Sequence, residues 1–451
     1  MKVAKFGGTS LADAGQIRKV LDIVKSDPDR RLIVVSAPGK RSKDDTKVTD
    51  LLIACAKAAL ARGEADPEVR AVVSRFAEIG RELDLPPALM AGIEKDLRDR
   101  LAGDRSHKAL FTDSIKAAGE DYCAQFVAAA AARQGLQAHY VCPREAGLVL
   151  SDEPGNARVL DESYPKLAAL RDRPGVTIFP GFFGYTKAGR VVTFPRGGSD
   201  ITGAILAAAV KAEVYENFTD VDSVYSTDPR IVPEARPIEL LTYREMRELA
   251  YAGFSVFHDE AIIPAVLANV PICIRNTNRP AAPGTMIVPE RPYHSGGVVG
   301  ISSCDGFCTI FLSKYLMNRE IGFGRRLLQI LEEEGLPYEH APSGIDNTSV
   351  ILRDRLLTPE KERHVVNRIQ AELAPDNVEV ERGLALIMVV GEGMRYTVGL
   401  AAGATRALAD SGVNIEMMNQ GSSEISIMFG VKEEDRRKAV KSLYHAFFAG
   451  E

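Results

Sequence analysis

Apolar and polar positions follow two alternating patterns through about the first 290 residues of the chain. Short continuous apolar runs, such as RLIVVS at 31–36 and VTIFP at 176–180, alternate with longer stretches whose apolar residues recur at helical spacing. Continuous apolar strands separated by helices are typical of a parallel sheet that is covered on both faces. We therefore expect an α/β domain, a three-layer αβα sandwich with a mainly parallel sheet. The predicted strands are 2–6, 31–36, 138–142, 176–180, 191–193, 214–218 and 271–275, the predicted helices are 14–24 and 201–211, and 50–104 is expected to be mostly helical.

The pattern changes after 280–297, a stretch rich in proline and glycine that predicts a domain boundary. Gly399 lies 77 residues after Gly322, and Gly412 lies 77 residues after Gly335; each pair brackets an apolar-patterned helix. Flanking apolar segments obey the same offset, 309–311 against 386–388 and 349–351 against 426–428. Several features that share one gap-free offset indicate two copies of a small α+β module, each with a strand, a helix, two strands and a further helix.

The pattern predicts three domains. They are an α/β domain at 1–290, a first α+β module at 300–378 and a second at 379–451. The extreme C-terminus could alternatively return to complete the sheet of the first module.

Composition narrows the class of protein. The 451 residues are too many for one ordinary core, and the net charge of −5 gives no reason to expect nucleic acid or an anionic membrane as a partner. No apolar run approaches the length of a membrane span, and the N-terminus MKVAKFGGTS lacks the features of a secretory signal. The six cysteines are scattered, and Cys304 and Cys308 have no second pair to complete a zinc site. We expect a reduced, cytoplasmic enzyme.

A glycine turn follows the first predicted strand, in the segment KFGGTS at 5–10. Two consecutive glycines let the backbone approach a ligand, their amides can point into one concavity, and a following helix N-terminus favours negative charge. Lys5 would add a positive charge beside phosphate oxygens. The plain alternative is a tight turn without a ligand. The P-loop and protein-kinase glycine motifs are absent, so any phosphate chemistry belongs to another fold.

A second glycine turn, FPRGGSD at 194–200, follows a strand and precedes an apolar helix. Arg196 could form a forked pair with a carboxylate, and Asp200 could hold an ammonium group or a lysine. The alternative is that Ser199 or Asp200 is an ordinary N-cap. Two such turns in one parallel sheet favour a ligand, because these sheets bind ligands at their carboxyl edge.

Together with FTDV at 218–221 and YSTDPR at 225–230, these motifs resemble the aspartate kinases of the amino acid kinase superfamily. The resemblance covers the whole chain, since those enzymes carry two ferredoxin-like ACT modules after the kinase domain. It implies transfer of the ATP γ-phosphoryl group to the side-chain carboxylate of L-aspartate, the first step of lysine, threonine and methionine biosynthesis. Because no second nucleotide-binding domain follows Glu451, we expect a monofunctional enzyme.

The resemblance also implies roles for individual residues. Those implied at ATP are Lys5, Phe6, Gly7, Gly8, Ser10, Thr219, Asp220, Tyr225, Arg230 and Ser255. Those implied at aspartate are Thr49, Glu120, Arg196 and Asp200, and the catalytic set is Lys5, Ser36 and Asp200.

Each of these roles has a plainer alternative. Glu120 could be a solvated helix charge, Thr49 an N-cap, and Tyr225 with the Asp228-Pro229 pair part of a turn. Ser255 stands where related enzymes often carry a lysine near the nucleotide, so that contact departs from the family pattern. His258 is expected to be a packed core histidine.

The acceptor chemistry needs no general base, because a carboxyl group with a pKa of about 3.9 is already ionised at pH 7. What opposes transfer is repulsion between this carboxylate and the phosphates, which Lys5, glycine amides and Mg²⁺ would counter. We expect Mg²⁺ to arrive with ATP and to take no ligand from protein side chains.

The ACT modules imply feedback control by an end-product amino acid, lysine or threonine, with lysine the first choice. They also imply self-association into a homodimer or tetramer. Candidate effector residues are Met317, Gly322, Phe323, Glu339, Ser343 and Asp346 in the first module, and Asn414, Asn419, Gln420 and Glu424 in the second.

Overall fold

The computed structural model describes residues 1–251, 253, 259–292, 297–421 and 423–449. The chain divides into two compact units. The first comprises 1–224, 237–243 and the described part of 255–291; the second comprises 225–236 and the described parts of 244–254 and 292–451.

The first half of the chain forms strands that alternate with helices. The strands are β1 (Lys2–Phe6), β2 (Arg30–Val35), β3 (Ala138–Tyr140), β4 (Val176–Pro180), β5 (Phe183–Tyr185), β6 (Val191–Thr193), β7 (Tyr215–Thr219), β8 (Val224–Tyr225), β9 (Pro237–Ile238), β10 (Leu240–Thr242), β11 (Ile272–Asn276) and β12 (Thr285–Val288). The helices are α1 (Ala14–Lys25), α2 (Val48–Arg62), α3 (Asp66–Glu82), α4 (Pro87–Leu101), α5 (Lys108–Arg133), α6 (Pro143–Ala146), α7 (Ser163–Ala168), α8 (Gly198–Ala209), α9 (Tyr243–Tyr251) and α10 (Ile263–Leu267).

The first unit is built on an eight-stranded sheet in the order β10-β12-β11-β7-β1-β2-β4-β3. All of its neighbouring strands are parallel except β11 and β12. The predicted mainly parallel α/β fold is therefore confirmed. The apolar pattern did not reveal β10 or β12, because each is only three or four residues long and β12 lies inside the proline- and glycine-rich stretch.

Helix α5 contributes much of the core of this unit. Its small residues, such as Ala118, and its aromatic residues Tyr122 and Phe126 are fully buried. It packs against α2, α4 and the sheet, and this brings Glu120 into the interior. The stretch 50–104 is helical, as predicted, and forms α2, α3 and α4.

The second unit contains one antiparallel sheet of five strands in the order β14-β13-β15-β17-β16. These strands are β13 (Gly300–Ser313), β14 (Asn347–Arg353), β15 (Asn377–Val390), β16 (Met417–Gln420) and β17 (Ser426–Lys432). The helices are α11 (Phe323–Glu333), α12 (Pro359–Leu373), α13 (Leu400–Asp410) and α14 (Arg436–Phe448).

The 77-residue repeat is visible in these bounds. Strand β15 begins and ends 77 residues after β13, and α13 does so after α11. Gly322 and Gly399 precede the two helices with φ of 82° and 87°, left-handed values that favour glycine. The first copy differs in one strand, because the segment equivalent to β16 forms only isolated bridges at His340 and Ser343.

Each repeat has its own core. The first is formed by α11, α12, β14 and the C-terminal half of β13. The second is formed by α13, α14, β15 and β17, and it also includes Ile231, Val232 and Ala235 from the segment 225–236. The domain limits drawn from the sequence stay a prediction. No helix in the described part of the chain is long and apolar enough to cross a bilayer.

Candidate active site

The Lys5 side chain lies buried at the carboxyl half of β1, where its ammonium meets a carboxylate from another element. Lys5 Nζ is 2.6 Å from Asp200 Oδ1, and Asp200 lies in the first turn of α8. Asn217 on β7 donates through Nδ2 to the same oxygen at 2.6 Å. Three elements of the first unit thus converge on one oxygen, which fixes the ammonium in position.

The first glycine turn is packed against the loop that follows β2. The Gly7 amide donates to the Phe218 carbonyl at 3.0 Å, and the Gly39 amide donates to the Gly8 carbonyl at 2.8 Å. A Cβ atom on Gly39 would lie 2.6 Å from the Gly8 carbonyl carbon, so the two loops touch through their backbones.

The predicted helix after the first glycine turn is confirmed. A four-residue 3-10 turn covers Gly8–Leu11, and α1 begins at Ala14, capped by Asp13. The helix N-terminus that adjoins a glycine turn is that of α8, whose N-cap is Gly197 with φ of 80°. Ser199 and Asp200 lie inside α8, so the alternative that either is the N-cap is wrong.

Two residues predicted at ATP have buried side chains. The Phe6 ring is fully buried and stacks on Phe218 with a centroid distance of 4.7 Å, so only its backbone reaches the sheet edge. The Ser10 hydroxyl is buried and lies 2.7 Å from Thr277 Oγ1.

The residues predicted at aspartate lie in the same unit. Ser36, predicted in the catalytic set, follows β2, and its amide donates to the Phe6 carbonyl at 3.2 Å. Thr49 is half-buried in the first turn of α2, whose N-cap is Lys47, so the N-cap alternative for Thr49 is wrong. Arg196 is exposed in the turn before α8 and has no ion pair or hydrogen bond with any residue that the structure describes.

Glu120 is the most unusual of these residues. It is buried, which rules out the alternative of a solvated charge, and its Oε2 has no hydrogen-bond partner among the described residues. Burial raises the pKa of the carboxyl to about 8, although a hydrogen bond from the Ala37 backbone and the charge of Lys116 act in the opposite direction. A buried carboxyl with an unpaired oxygen is a candidate binding group.

The residues predicted on the nucleotide side fall in both units. Thr219 ends β7 and donates to Asp220 Oδ1 at 3.2 Å. Tyr225 and Arg230 belong to the second unit, where Arg230 is exposed and pairs with Asp228, Nη2 to Oδ2 at 2.8 Å.

The plainer alternative for this segment has some support, since the Asp228 carbonyl accepts the amides of Ile231 and Val232 in a turn. Ser255 and His258 lie outside the described residues. The part of the chain that the structure describes contains no cluster of three or more His, Cys, Asp or Glu side chains that could hold a metal ion.

Three contributors to the site were missed at the sequence level: Asn217, Thr277 and Gly39. Asn217 carried a usable signal, because a polar side chain in the buried strand YENFT requires a partner. Gly39 and Thr277 carried none, since their roles depend on contacts with residues distant in sequence.

The candidate effector residues are spread through the second unit. Met317 and Phe323 are buried in the first core, Glu339 pairs with Arg353 at 2.9 Å, and Asp346 Oδ1 accepts the Leu316 amide at 2.9 Å. Gly322 precedes α11 and Ser343 is exposed.

In the second module Asn414 donates to Glu416 at 3.0 Å, and Glu424 lies 3.7 Å from Arg395. Asn419 and Gln420 are exposed on the edge strand β16.

Comparison with known proteins agrees with this architecture. A model of the amino acid kinase family matches residues 1–276, and a model of the ACT domain matches 387–447. The chain is 58% identical to aspartokinase 3 of Bacillus subtilis over 100% of its own length and 99% of the relative's. The fold and the paired lysine and aspartate define a kinase of small carboxylates, and the chain belongs to the aspartokinases of the amino acid kinase family. It is a phosphotransferase whose acceptor is a carboxyl group.

Solved structures give the same result. The crystal structure of Clostridium acetobutylicum aspartate kinase matches with a TM-score of 0.89 and 37% identity, covering 99% of this chain and 100% of the other. Escherichia coli aspartokinase III matches in its complex with aspartate and ADP, with a TM-score of 0.79, 27% identity and coverage of 99% and 100%. It also matches in its complex with lysine and aspartate, with a TM-score of 0.80, 27% identity and 99% coverage of both chains.

Proposed function

We propose that this chain transfers the γ-phosphoryl group of ATP to the side-chain carboxylate of L-aspartate and forms 4-phospho-L-aspartate. The observation that carries the proposal is the buried pair of Lys5 and Asp200 beside the Gly7-Gly8 turn. This arrangement presents a fixed cation and backbone amides at one sheet edge. The complex of the E. coli relative with aspartate and ADP supports the same pair of ligands.

Lys5 and the Gly8 amide would act on the phosphates, since the Gly7 amide already donates to the Phe218 carbonyl. The acceptor carboxylate is ionised at neutral pH, so the barrier is its repulsion by the phosphates and not a proton transfer. The Lys5 cation is held by Asp200, whose oxygen also accepts from Asn217, so it is already oriented and stabilises the transferring group without reorganisation. Ser36 lies at the end of the neighbouring strand and would face the same group.

Glu120, Arg196 and Thr49 would select the amino acid. The unpaired buried oxygen of Glu120 suits the α-ammonium group, and the exposed guanidinium of Arg196 suits a carboxylate. Recognition at two points of opposite charge explains a preference for an amino acid over a simple carboxylate.

The nucleotide would be bound by the Gly8 amide together with Thr219 and Asp220 of the first unit. The nucleotide contacts of Tyr225, Arg230 and Ser255 stay predictions. Mg²⁺ would be carried by the ATP phosphates and would neutralise their charge.

The second unit would provide feedback control by lysine, which places the enzyme at the start of lysine, threonine and methionine biosynthesis. The ACT match and the lysine complex of the E. coli relative support this role. We also propose a homodimer or tetramer formed through the ACT modules. Ile321 and Val398, equivalent residues of the two repeats, are fully exposed and would be covered by a second copy. The free thiols of all six cysteines agree with a cytoplasmic location.

The test is ADP release measured with a panel of amino acids, with and without lysine, threonine and methionine. We expect turnover with L-aspartate and not with glutamate or acetate, and inhibition by lysine. Activity on another carboxylate in place of L-aspartate would show that the proposed substrate is wrong. Binding of an amino acid without any turnover would indicate a regulatory protein.

A further inference from the structure

Helix α5 carries two charged residues, Asp113 and Lys116, that the mechanism above does not use. They precede Glu120 on the same helix, and Lys116 is four residues before it, the spacing at which helical side chains are neighbours. The Asp113 side chain is 3% exposed and that of Lys116 is 17% exposed. Two charges so deeply buried beside a binding residue require an explanation.

The Asp113 carboxylate joins three separate segments. Its Oδ2 accepts the amide of Gly155 at 2.7 Å and the amide of Thr193 at 2.8 Å, while its Oδ1 lies 2.7 Å from Lys116 Nζ. Thr193 is the last residue of β6, three residues before Arg196. Asp113 therefore fixes α5 against the strand that leads into the Arg196 turn.

Lys116 extends this connection. Its Nζ donates to Thr193 Oγ1 at 3.2 Å and lies 5.7 Å from the centroid of the Phe182 ring. Phe182 has φ of 74°, a left-handed value that costs energy for a residue with a side chain, and its amide donates to Thr202 Oγ1 in α8. Its ring packs on Gly198, where an added Cβ would lie 2.6 Å from Phe182 Cδ2.

We propose that Asp113 and Lys116 are positioning residues for the acceptor amino acid, holding Glu120 at a fixed separation from the Arg196 turn. This inference rests on the proposed function, in which those two residues bind opposite charges of aspartate. Binding of aspartate by both Glu120 and Arg196 depends on the distance between these residues, and a small displacement of either weakens the binding. No hydrogen bond or ion pair among the described residues joins the Gly7-Gly8 turn to Asp113 or Lys116. Replacing either of these two residues should therefore affect ATP binding little.

The experiment compares Lys116→Met, Lys116→Arg and Asp113→Asn with the wild type in steady-state ADP release. We expect Lys116→Met to raise the KM for aspartate about tenfold, as for the loss of a hydrogen bond to a charged group, and to change the KM for ATP less than about twofold. Lys116→Arg keeps the cation and should recover most of the affinity. Asp113→Asn should act in the same direction as Lys116→Met.

Lys108→Met is the matched control, because Lys108 is exposed in the first turn of the same helix. It should leave both KM values unchanged. Adding Glu120→Gln should make the effect of Lys116→Met on aspartate smaller than in the wild-type background, since both changes would act through one interaction.

Three outcomes would overturn the inference: an unchanged KM for aspartate in Lys116→Met, equal increases in both KM values with a lowered melting temperature, or full additivity with Glu120→Gln. If Asp113→Asn fails to fold, the KM values of Lys116→Met still test the inference. Absence of aspartate-dependent turnover in the wild type would instead contradict the proposed function, so the two failures are distinguishable.

Discussion

Lys5 is held so firmly that its contribution to turnover can be isolated. Replacement by methionine keeps the apolar stem and removes the charge that Asp200 fixes at 2.6 Å. We expect kcat to fall on the order of 10²-fold, as for the loss of one preorganised donor. Steady-state kinetics at saturating substrates would measure this loss.

Lys2→Met is a suitable control for that experiment. Lys2 lies at the other end of the same strand and pairs with Asp27 at 2.7 Å. This variant loses a strand lysine and its ion pair but should retain kcat within about twofold, since Lys2 pairs with Asp27 and not with Asp200. Unchanged turnover in Lys5→Met would remove Lys5 from the mechanism.

Glu120 gives aspartate binding a pH dependence with a definite sign. The carboxyl can pair with an ammonium group only when ionised, and burial raises its pKa to about 8. The kcat/KM for aspartate should therefore increase as the pH rises from 6 and level off above about 8, because this ratio reports groups of the free enzyme. Glu120→Gln should abolish that rise, and a rise that persists in the variant would assign it to another group.

The same raised pKa affects stability in the opposite sense. Between the unfolded value, about 4.5, and about 8 the folded state binds the proton more tightly, so the free energy of unfolding decreases as the pH rises through this window. Glu120→Gln removes this contribution of Glu120 to the pH dependence of the free energy of unfolding. The melting temperature of the variant relative to the wild type, both without ligand, should thus increase from pH 5 to pH 8.

The motifs implied roles for Lys5, Arg196 and Asp200 that stay predictions, and they did not reveal the surroundings of these residues. The sequence suggested that Asp200 could hold a lysine, and the fold identifies Lys5, 195 positions away, as that lysine. For Glu120 the local pattern favoured a solvated charge, since α5 shows no strong apolar face. The helix is buried on almost all sides, and local periodicity cannot reveal that.

At the level of elements, the two loops that follow β1 and β2 depend on glycine for their contact. A Cβ on Gly39 would lie within 2.8 Å of backbone atoms of Gly8 and Thr9, and backbone cannot move aside as a flexible side chain can. Gly39→Ala should separate the loops at a cost of about 1–3 kcal/mol in the free energy of unfolding. It should also raise the KM for ATP, because it would displace the Gly8 amide that we propose binds the phosphates.

Gly92→Ala provides the comparison, since Gly92 lies inside α4 with no atom within 4 Å of its added Cβ. That change should be neutral or stabilising by about 0.5–1 kcal/mol, the difference between alanine and glycine in a helix. Chemical denaturation and ATP titration of both variants would separate two effects of a glycine-to-alanine change. One is the loss of the close backbone contact at Gly39, and the other is the change in backbone entropy. Equal behaviour of the two variants would show that the loops do not require their close approach.

Elements with strong apolar runs were predicted well, and elements defined by distant partners were not. Strands β4 and β6 have the predicted bounds, and the repeat offset holds for two strands and two helices. The 3-10 turn at Gly8–Leu11 was not predicted, although the helix that follows it begins at Ala14 as predicted. Strand β12 was missed because prolines and glycines surround it.

At the level of the whole molecule, the order of elements in sequence conceals the division into two units. Residues 225–236 follow the kinase strands in sequence, yet Ile231, Val232 and Ala235 are buried in a core formed by α13, α14, β15 and β17. The Tyr444 hydroxyl also donates to the Glu234 carbonyl at 2.9 Å. Such packing between segments two hundred residues apart leaves no trace in local pattern.

The self-association that we propose is a property of the whole molecule that the repeat makes testable. Ile321 and Val398 are 99% and 102% exposed, and each immediately precedes the glycine that starts its helix. Covering one such side chain contributes about 1.5–3 kcal/mol, so burial of both in each subunit is a substantial part of a dimer interface. The double variant Ile321→Glu with Val398→Glu should sediment as a monomer at concentrations where the wild type is a dimer.

Leu267→Glu is the matched control, because Leu267 is 79% exposed in α10 and lies in the first unit. It adds one of the two negative charges of the double variant without touching the repeat, and its sedimentation should match that of the wild type. The aspartate kinase activity of all three proteins would verify that the substitutions leave the fold intact. A double variant that remains dimeric would place the interface on another surface, such as the exposed edge strand β16 with Met418.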